Sequence, residues 1–149
     1  MKISDSVSAL LHRKGDEVYS VAPEATVYEA IQTMAERNVG ALVVLSDGKL
    51  VGIISERDYT RKVILKGRSS KKTLVRDLLS SPVHSVTPDH SVEDCMRLMV
   101  KHRIRHLPVL EGERLSGVLS IGDLVNWTIT AQSQEIDQLK NFITGQYPG

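Results

Sequence analysis

The sequence predicts an α/β (α+β) protein made of two β-α-β-β-α repeats followed by a long C-terminal helix. Three observations carry this reading. Displacing the sequence by 65 residues lays segment 18–60 on segment 83–125 without a gap, and 13 of the 43 positions are identical. The identities include Pro23/Pro88, Gly52/Gly117, Ser55/Ser120 and Asp58/Asp123, residues that punctuate structure and that chance does not place in register. Within each copy the apolar spacing changes from helical to near-continuous, and the polar turns SDGK and EGER divide the two apolar runs that follow.

Element by element, residues 1–15 form an N-terminal helix, with Ile3, Val7, Leu10 and Leu11 on one face. The first repeat occupies 16–66. It opens on an extended piece, Val18–Val21, and Pro23 disfavours helix in the residue before it. Thr26 is the candidate N-cap of a helix whose apolar face is Val27, Ala30, Ile31 and Met34, with Glu29 placed as in a capping box. Strands Ala41–Leu45 and Leu50–Ile54 form a hairpin, and a helix starts near Ser55. Residues 67–80 are read as a linker; the stretch 61–76 around it carries seven basic residues. The second repeat, 81–130, repeats the pattern: Val83–Val86, a helix capped by Ser91 with Val92, Cys95, Met96 and Met99 apolar, strands Leu107–Leu110 and Leu115–Leu119, and a helix from Ser120. That last helix continues into a tail, 131–149, whose polar length suggests packing on a neighbour such as a second subunit.

A chain of 149 residues, 41% hydrophobic and 25% charged, buries enough surface (about 68–70% of the unfolded total) for a core without staples. With one Phe, one Trp and four Tyr, that core is aliphatic. A net charge of +1 gives no global field for nucleic acid or membrane. The single cysteine, Cys95, excludes an internal disulfide and fits a reducing compartment. No apolar run approaches the roughly 18 residues of a membrane span, and the first residues do not read as a signal peptide. The expected location is cytoplasmic, or a mitochondrial or plastid matrix in a eukaryote.

The pattern G-h-h-S-x-x-D, with h apolar, occurs as GIISERD at 52–58 and GVLSIGD at 117–123. It describes a strand running into a helix start. The serine can cap that helix, and its open backbone N–H groups attract an anion. The aspartate sits where the helix dipole favours negative charge, and its two oxygens suit the paired hydroxyls of a ribose. Plain helix capping explains the same residues, and the two roles can coexist.

Together the repeat, the V-x-P start, the RHLPV strand and the paired G-h-h-S-x-x-D motif resemble a tandem pair of CBS domains, or Bateman module, over residues 16–130. ERDYTRKVILKGRSSKKT and HRIRHLPVL further resemble small stand-alone CBS-pair proteins of bacteria and plant organelles. The resemblance implies pseudo-two-fold packing of the repeats, frequent dimerisation, and clefts for adenosine-type ligands: AMP foremost, with ADP, ATP, NAD or S-adenosylmethionine as others. It places Asp58, Asp123, Ser55 and Ser120 at the ribose. It places the backbone at Ser20, Val21, Ser85 and Val86 at the adenine edge. It implies that Arg105 and His106 face phosphate. The first copy has Gly40 and Ala41 there, so Arg57, Arg61 or Lys62 would supply its charge, and the two sites should be unequal.

Other constellations are weaker. Cys95, His102 and His106 invite a metal, but Cys95 aligns with Ala30 on an apolar helix face, and the two histidines lie in different elements. The basic stretch lacks interleaved aromatics, so nucleic acid is not the expected partner. GRSSKKT lacks the second glycine of a P-loop, and no nucleophile–base pair stands out, so an enzyme is not expected. The expected function is a non-catalytic nucleotide-sensing module acting in trans on a partner protein as a homodimer. The alternative is a ligand-independent dimeric interaction platform.

Overall fold

The computed structural model describes residues 5–15, 17–79 and 83–143. In order, the elements are α1 (Val7–Lys14), β1 (Ser20–Val21), α2 (Val27–Arg37), β2 (Ala41–Ser46), β3 (Lys49–Ser55), α3 (Glu56–Asp58), α4 (Val92–His102), β4 (His106–Glu111), β5 (Arg114–Ser120) and α5 (Ile121–Ile143). A π turn, Tyr59–Ile64, continues α3, and a 3-10 turn spans Val75–Leu78. Ile3 and the end of the tail after Ile143 lie outside the described residues. The chain divides into two compact units. One holds residues 17–79, 83–86 and 108–118; the other holds 5–15, 87–107 and 119–143. The division falls within β4 and β5 rather than in the segment read as a linker.

In the first unit, Thr26 caps α2 by accepting from the Glu29 N–H at 3.1 Å, and Val27, Ala30 and Met34 are buried. The helix ends at Asn38 in the left-handed region (φ 54°), and the Val39 N–H returns to the Met34 carbonyl at 3.0 Å. Strands β1, β2 and β3 form one sheet, with β1 parallel and β3 antiparallel to β2. Asp47 and Gly48 both take positive φ (50° and 78°), as a two-residue type I′ hairpin turn requires. The predicted helix after Ser55 shortens to α3. There the Thr60 hydroxyl bonds the Glu56 carbonyl, and i→i+5 bonds run from Leu65 to Thr60 and from Arg68 to Val63.

The segment predicted as a linker is part of this unit's core. Val75 and Leu78 are buried with Val27, Met34, Leu42 and Ile54. The Val27 N–H, an orphan donor at a helix start, bonds the Thr73 carbonyl at 2.8 Å. Val75 and Arg76 donate to the carbonyls of Ala25 and Pro23, at 2.8 and 2.9 Å. A Cβ on Gly52 would meet Leu79 Cδ2 at 2.6 Å, so Leu79 packs directly over this glycine and its side chain would have to shift for a larger residue.

The second unit contains the same device, built from the N-terminus. The Val92 N–H bonds the Asp5 carbonyl at 2.8 Å. Val7 and Ser8 donate to His90 and Pro88, at 2.8 and 3.0 Å. Val7 and Leu10 are buried here as Val75 and Leu78 are in the first unit. Residues 5–8 therefore serve the second repeat as residues 73–76 serve the first. α4 carries a full Ser91–Asp94 capping box and ends at Arg103 (φ 54°), the counterpart of Asn38.

The predicted strand Val83–Val86 contracts to one bridge, Val86 with Val109, in the register of Val21 with Val44. The cause is Pro108. In the first repeat the Val43 N–H bonds the Tyr19 carbonyl at 3.4 Å, and proline at the equivalent place has no N–H to give. β4 and β5 pair as the predicted hairpin, and the long helix α5 is present.

Truncating either strap should cost similar stability. Leu10→Ala and Leu78→Ala are each expected to lower the unfolding free energy by about 2–5 kcal/mol in urea titrations. Losses under 1 kcal/mol at both would deny the straps their structural role.

Candidate functional site

Both Ser-x-x-Asp turns are closed capping structures at the end of a hairpin's second strand. Ser55 N–H donates to Asp58 Oδ2 at 2.9 Å, and Asp58 N–H donates back to Ser55 Oγ at 3.2 Å. The equivalent bonds at Ser120 and Asp123 are 2.8 and 3.1 Å. The residue after each serine is tied to the residue just ahead of the hairpin's first strand: Glu56 N–H bonds the Gly40 carbonyl at 3.0 Å, and Ile121 N–H bonds the Arg105 carbonyl at 2.8 Å. Strand, hairpin and helix start are thus pinned at one corner in each copy.

Each aspartate also meets a lysine, from a different element in each copy. Lys62, one turn along, approaches Asp58 Oδ1 at 3.4 Å and donates to the Leu78 carbonyl at 2.9 Å. Asp123 Oδ2 receives Lys14, from the last turn of α1, at 2.6 Å. Lys14 was not among the predicted site residues. Its signal was the likeness of DSVSALL at 5–11 to TLVRDLL at 73–79, which a displacement of 65 does not align.

The second corner is the more charged. His106 feels the charges of Lys14, Arg105 and Asp123 there, and Asp123 feels that of Lys14. Burial alone would raise the Asp123 carboxyl, but hydrogen bonds from Lys14 and Ser120, with the Lys14 charge, bring it below its ordinary value of 3.8. Burial, reinforced by Lys14 and Arg105 against the opposing pull of Asp123, lowers His106 below its ordinary 6.5. His106 is therefore neutral at pH 7, a hydrogen-bonding group rather than a cation. Arg105, Arg57 and Arg61 are exposed. Trp127, at the position of Lys62, donates its indole N–H to Asp5 at 2.9 Å and lies under Arg13, so it ties α5 to the N-terminal strap.

The residues assigned to the adenine edge divide. The Val86 N–H is committed to the Pro108 carbonyl at 3.0 Å, and its carbonyl accepts from Leu110 at 2.8 Å. The alternation of a strand turns the backbone groups of the preceding residue toward the opposite edge, so Ser85, and Ser20 beside Val21, keep the outward-facing groups. Among the described residues no group of three or more His, Cys, Asp or Glu could hold a metal ion. Cys95 is buried on α4, and desolvation pushes its thiol up to about 11.

The sequence model of the CBS domain matches twice, at residues 7–64 and 75–129. The chain belongs to the CBS-domain family. The first match begins at the N-terminal strap and the second at the inter-repeat strap. Over 127 residues this CBS pair is 44% identical to the mitochondrial CBS domain-containing protein CBSX3 of Arabidopsis thaliana, covering 82% of this chain and 62% of that one. It is 36% identical over 108 residues to the CBS domain-containing protein YhcV of Bacillus subtilis, covering 72% and 76%. A solved protein with CBS domains from Burkholderia ambifaria, described as a signal-transduction protein, superposes with a TM-score of 0.81 at 45% identity, over 85% of this chain and 96% of that one. CBS-domain pairs are regulatory, signal-transduction modules, and their stand-alone forms are not described as catalysts. Among the described residues no helix is long and apolar enough to cross a membrane.

The charged corner predicts acid sensitivity. For both His106 and Asp123 the folded pKa lies below the unfolded one, so between the two values the unfolded chain binds the extra proton. The stabilisation is complete above about pH 6.5 for His106 and about 3.8 for Asp123, and is lost as pH falls through each folded value. The urea midpoint should fall in two steps on acidification, with the upper step removed by His106→Gln. An NMR titration midpoint for His106 at or above 6.5 would contradict this account. Cys95 should resist thiol reagents at pH 8 in the native protein and react once unfolded.

Proposed function

We propose that this CBS pair is a non-catalytic adenine-nucleotide-binding regulatory module that acts in trans on a partner protein, with AMP as its foremost ligand. Its compartment is the cytoplasm, or a mitochondrial or plastid matrix; the Arabidopsis relative is named as mitochondrial. The observation that carries the reading is the lysine on each capping aspartate. Capping alone needs serine and aspartate; it does not call for a cation. At the start of α5 a cation opposes the positive end of the helix dipole. Lys14 and Arg105 beside that helix start suit a phosphate, for which the dipole and the cations act together.

Asp123 then serves two partners. The bonds from Ser120 and Lys14 fall on Oδ2, and a ribose hydroxyl would approach Oδ1. Neutral His106 donates or accepts one hydrogen bond at the same corner. The outward-facing backbone groups of Ser20 and Ser85 are the candidates for an adenine edge. The first copy offers less to phosphate: Gly40 and Ala41 replace Arg105 and His106, and Lys62 is already held by the Leu78 carbonyl. Its charge would come from Arg57 and Arg61 in addition. Unequal affinities follow, with the stronger site at Asp123.

The regulatory step is a difference in affinity between two arrangements of the protein, one of which a partner reads. Replacement of one adenine nucleotide by another, as energy or redox state changes, would shift that balance. A ligand-independent platform is the second reading, favoured by the fact that serine and aspartate satisfy each other's capping bonds in both copies.

Thermal melts and calorimetry separate the two. AMP at a hundred times its dissociation constant adds about 2.7 kcal/mol, which at this chain length raises Tm by several degrees. Asp123→Ala should abolish most of that shift, whereas Asp137→Ala, on the exposed part of α5, should leave it intact. The 2′-deoxy nucleotide should bind more weakly by about 1–3 kcal/mol, the cost of an unpaired buried acceptor. A panel of AMP, ADP, ATP, NAD and S-adenosylmethionine that leaves Tm unmoved would favour the platform instead.

A further inference from the structure

Beyond its first turns α5 carries an exposed apolar stripe with a seven-residue period. Val125, Ile129, Ile136, Leu139 and Ile143 are 47, 56, 53, 60 and 74% exposed. Successive spacings of 4, 7, 3 and 4 place Ile129, Ile136 and Ile143 at one heptad core position, a, and Val125 and Leu139 at the other, d. The remaining d position, between Ile129 and Ile136, is Gln132. A lone folded domain gains nothing from a solvent-facing seam of this regularity, and the pattern itself says what covers it. Isoleucine at all three a positions, with leucine at d position 139, suits two parallel strands.

The flanking charges select the same occupant. In this frame Glu135 is a g position and Lys140 the e position of the next heptad. In a parallel pair these two meet across the seam, giving one ion pair on each side. An antiparallel pair would bring the two Glu135 side chains toward each other, with like charges opposed. We infer that residues 129–143 of α5 join two copies of this chain as a parallel two-stranded coiled coil in which Glu135 of each helix pairs with Lys140 of the other. The inference stands whether or not a nucleotide binds.

Sedimentation equilibrium on the full chain tests it. The wild type should be a concentration-dependent dimer. Ile136→Asp, at a position outside the folded core, should weaken the dimer about tenfold or more while circular dichroism and Tm stay near wild type. Glu135→Lys should also weaken it, and adding Lys140→Glu should restore it. Oxidised Gln132→Cys should link two chains, because a parallel seam sets the two positions opposite each other; Gln138→Cys, on the outer face, should not. Cys95 is buried and does not interfere. A wild-type monomer, a dimer indifferent to Ile136→Asp, a failed charge-swap rescue, or equal cross-linking at 132 and 138 would each overturn the inference.

Discussion

The backbone bonds from Val27 to Thr73 and from Val92 to Asp5 complete the two repeats and position the candidate site. Each gives a helix's first N–H a partner, and each comes from a chain segment outside the β-α-β-β core it completes. The segment that finishes the first repeat lies after it, and the segment that finishes the second lies before the first. Neither repeat closes its core from its own contiguous residues, since Val75 and Leu78 fill one and Val7 and Leu10 the other. The candidate site inherits this dependence. Lys14 reaches Asp123 across a separation of 109 residues only because α1 is fastened to the start of α4.

The same backbone plan yields unlike halves through few substitutions. Proline in place of Val43 removes one ladder donor and reduces a strand to a bridge. Arg105 and His106 put charge and a ring beside one helix start that Gly40 and Ala41 do not supply at the other. Lysine reaches both aspartates, but from one turn along the same segment in the first repeat and from α1 in the second. At the second corner burial and neighbouring charge displace both Asp123 and His106 from their ordinary values.

Much of this was legible in the sequence because it is local. Thr26 and Ser91 cap where they are placed by type and spacing, SDGK makes the predicted turn, and the G-h-h-S-x-x-D motif closes at both sites. The straps were not legible at a single displacement. Residues 5–11 match 73–79 at an offset of 68, three more than the rest of the repeat, so a gapless comparison reads one as a separate helix and the other as a linker. With the straps went Lys14, whose role depends entirely on tertiary placement. The contraction at Val86 was readable in principle, since Pro108 stands in the sequence where a strand needs a donor. The π turn after Asp58 was not, because its i→i+5 bonds leave no signature in composition or period.

α5 carries both a residue of the candidate site and the stripe proposed to join two copies. Its first turn holds Asp123, and Leu124 is buried beside it, while its outer turns carry the apolar heptad. Between Leu124 and Ile143 there is no glycine or proline, so nothing in the sequence provides a hinge. A helix of 23 residues runs about 34 Å at 1.5 Å per residue. A displacement at its N-terminal end is therefore carried along its length rather than absorbed. If two copies join along the outer turns, any ligand that prefers one setting of Asp123 and Lys14 also acts on the seam. By linkage, assembly then acts on the ligand with equal strength. That reciprocity requires a difference in affinity between the settings; tight binding alone shifts nothing.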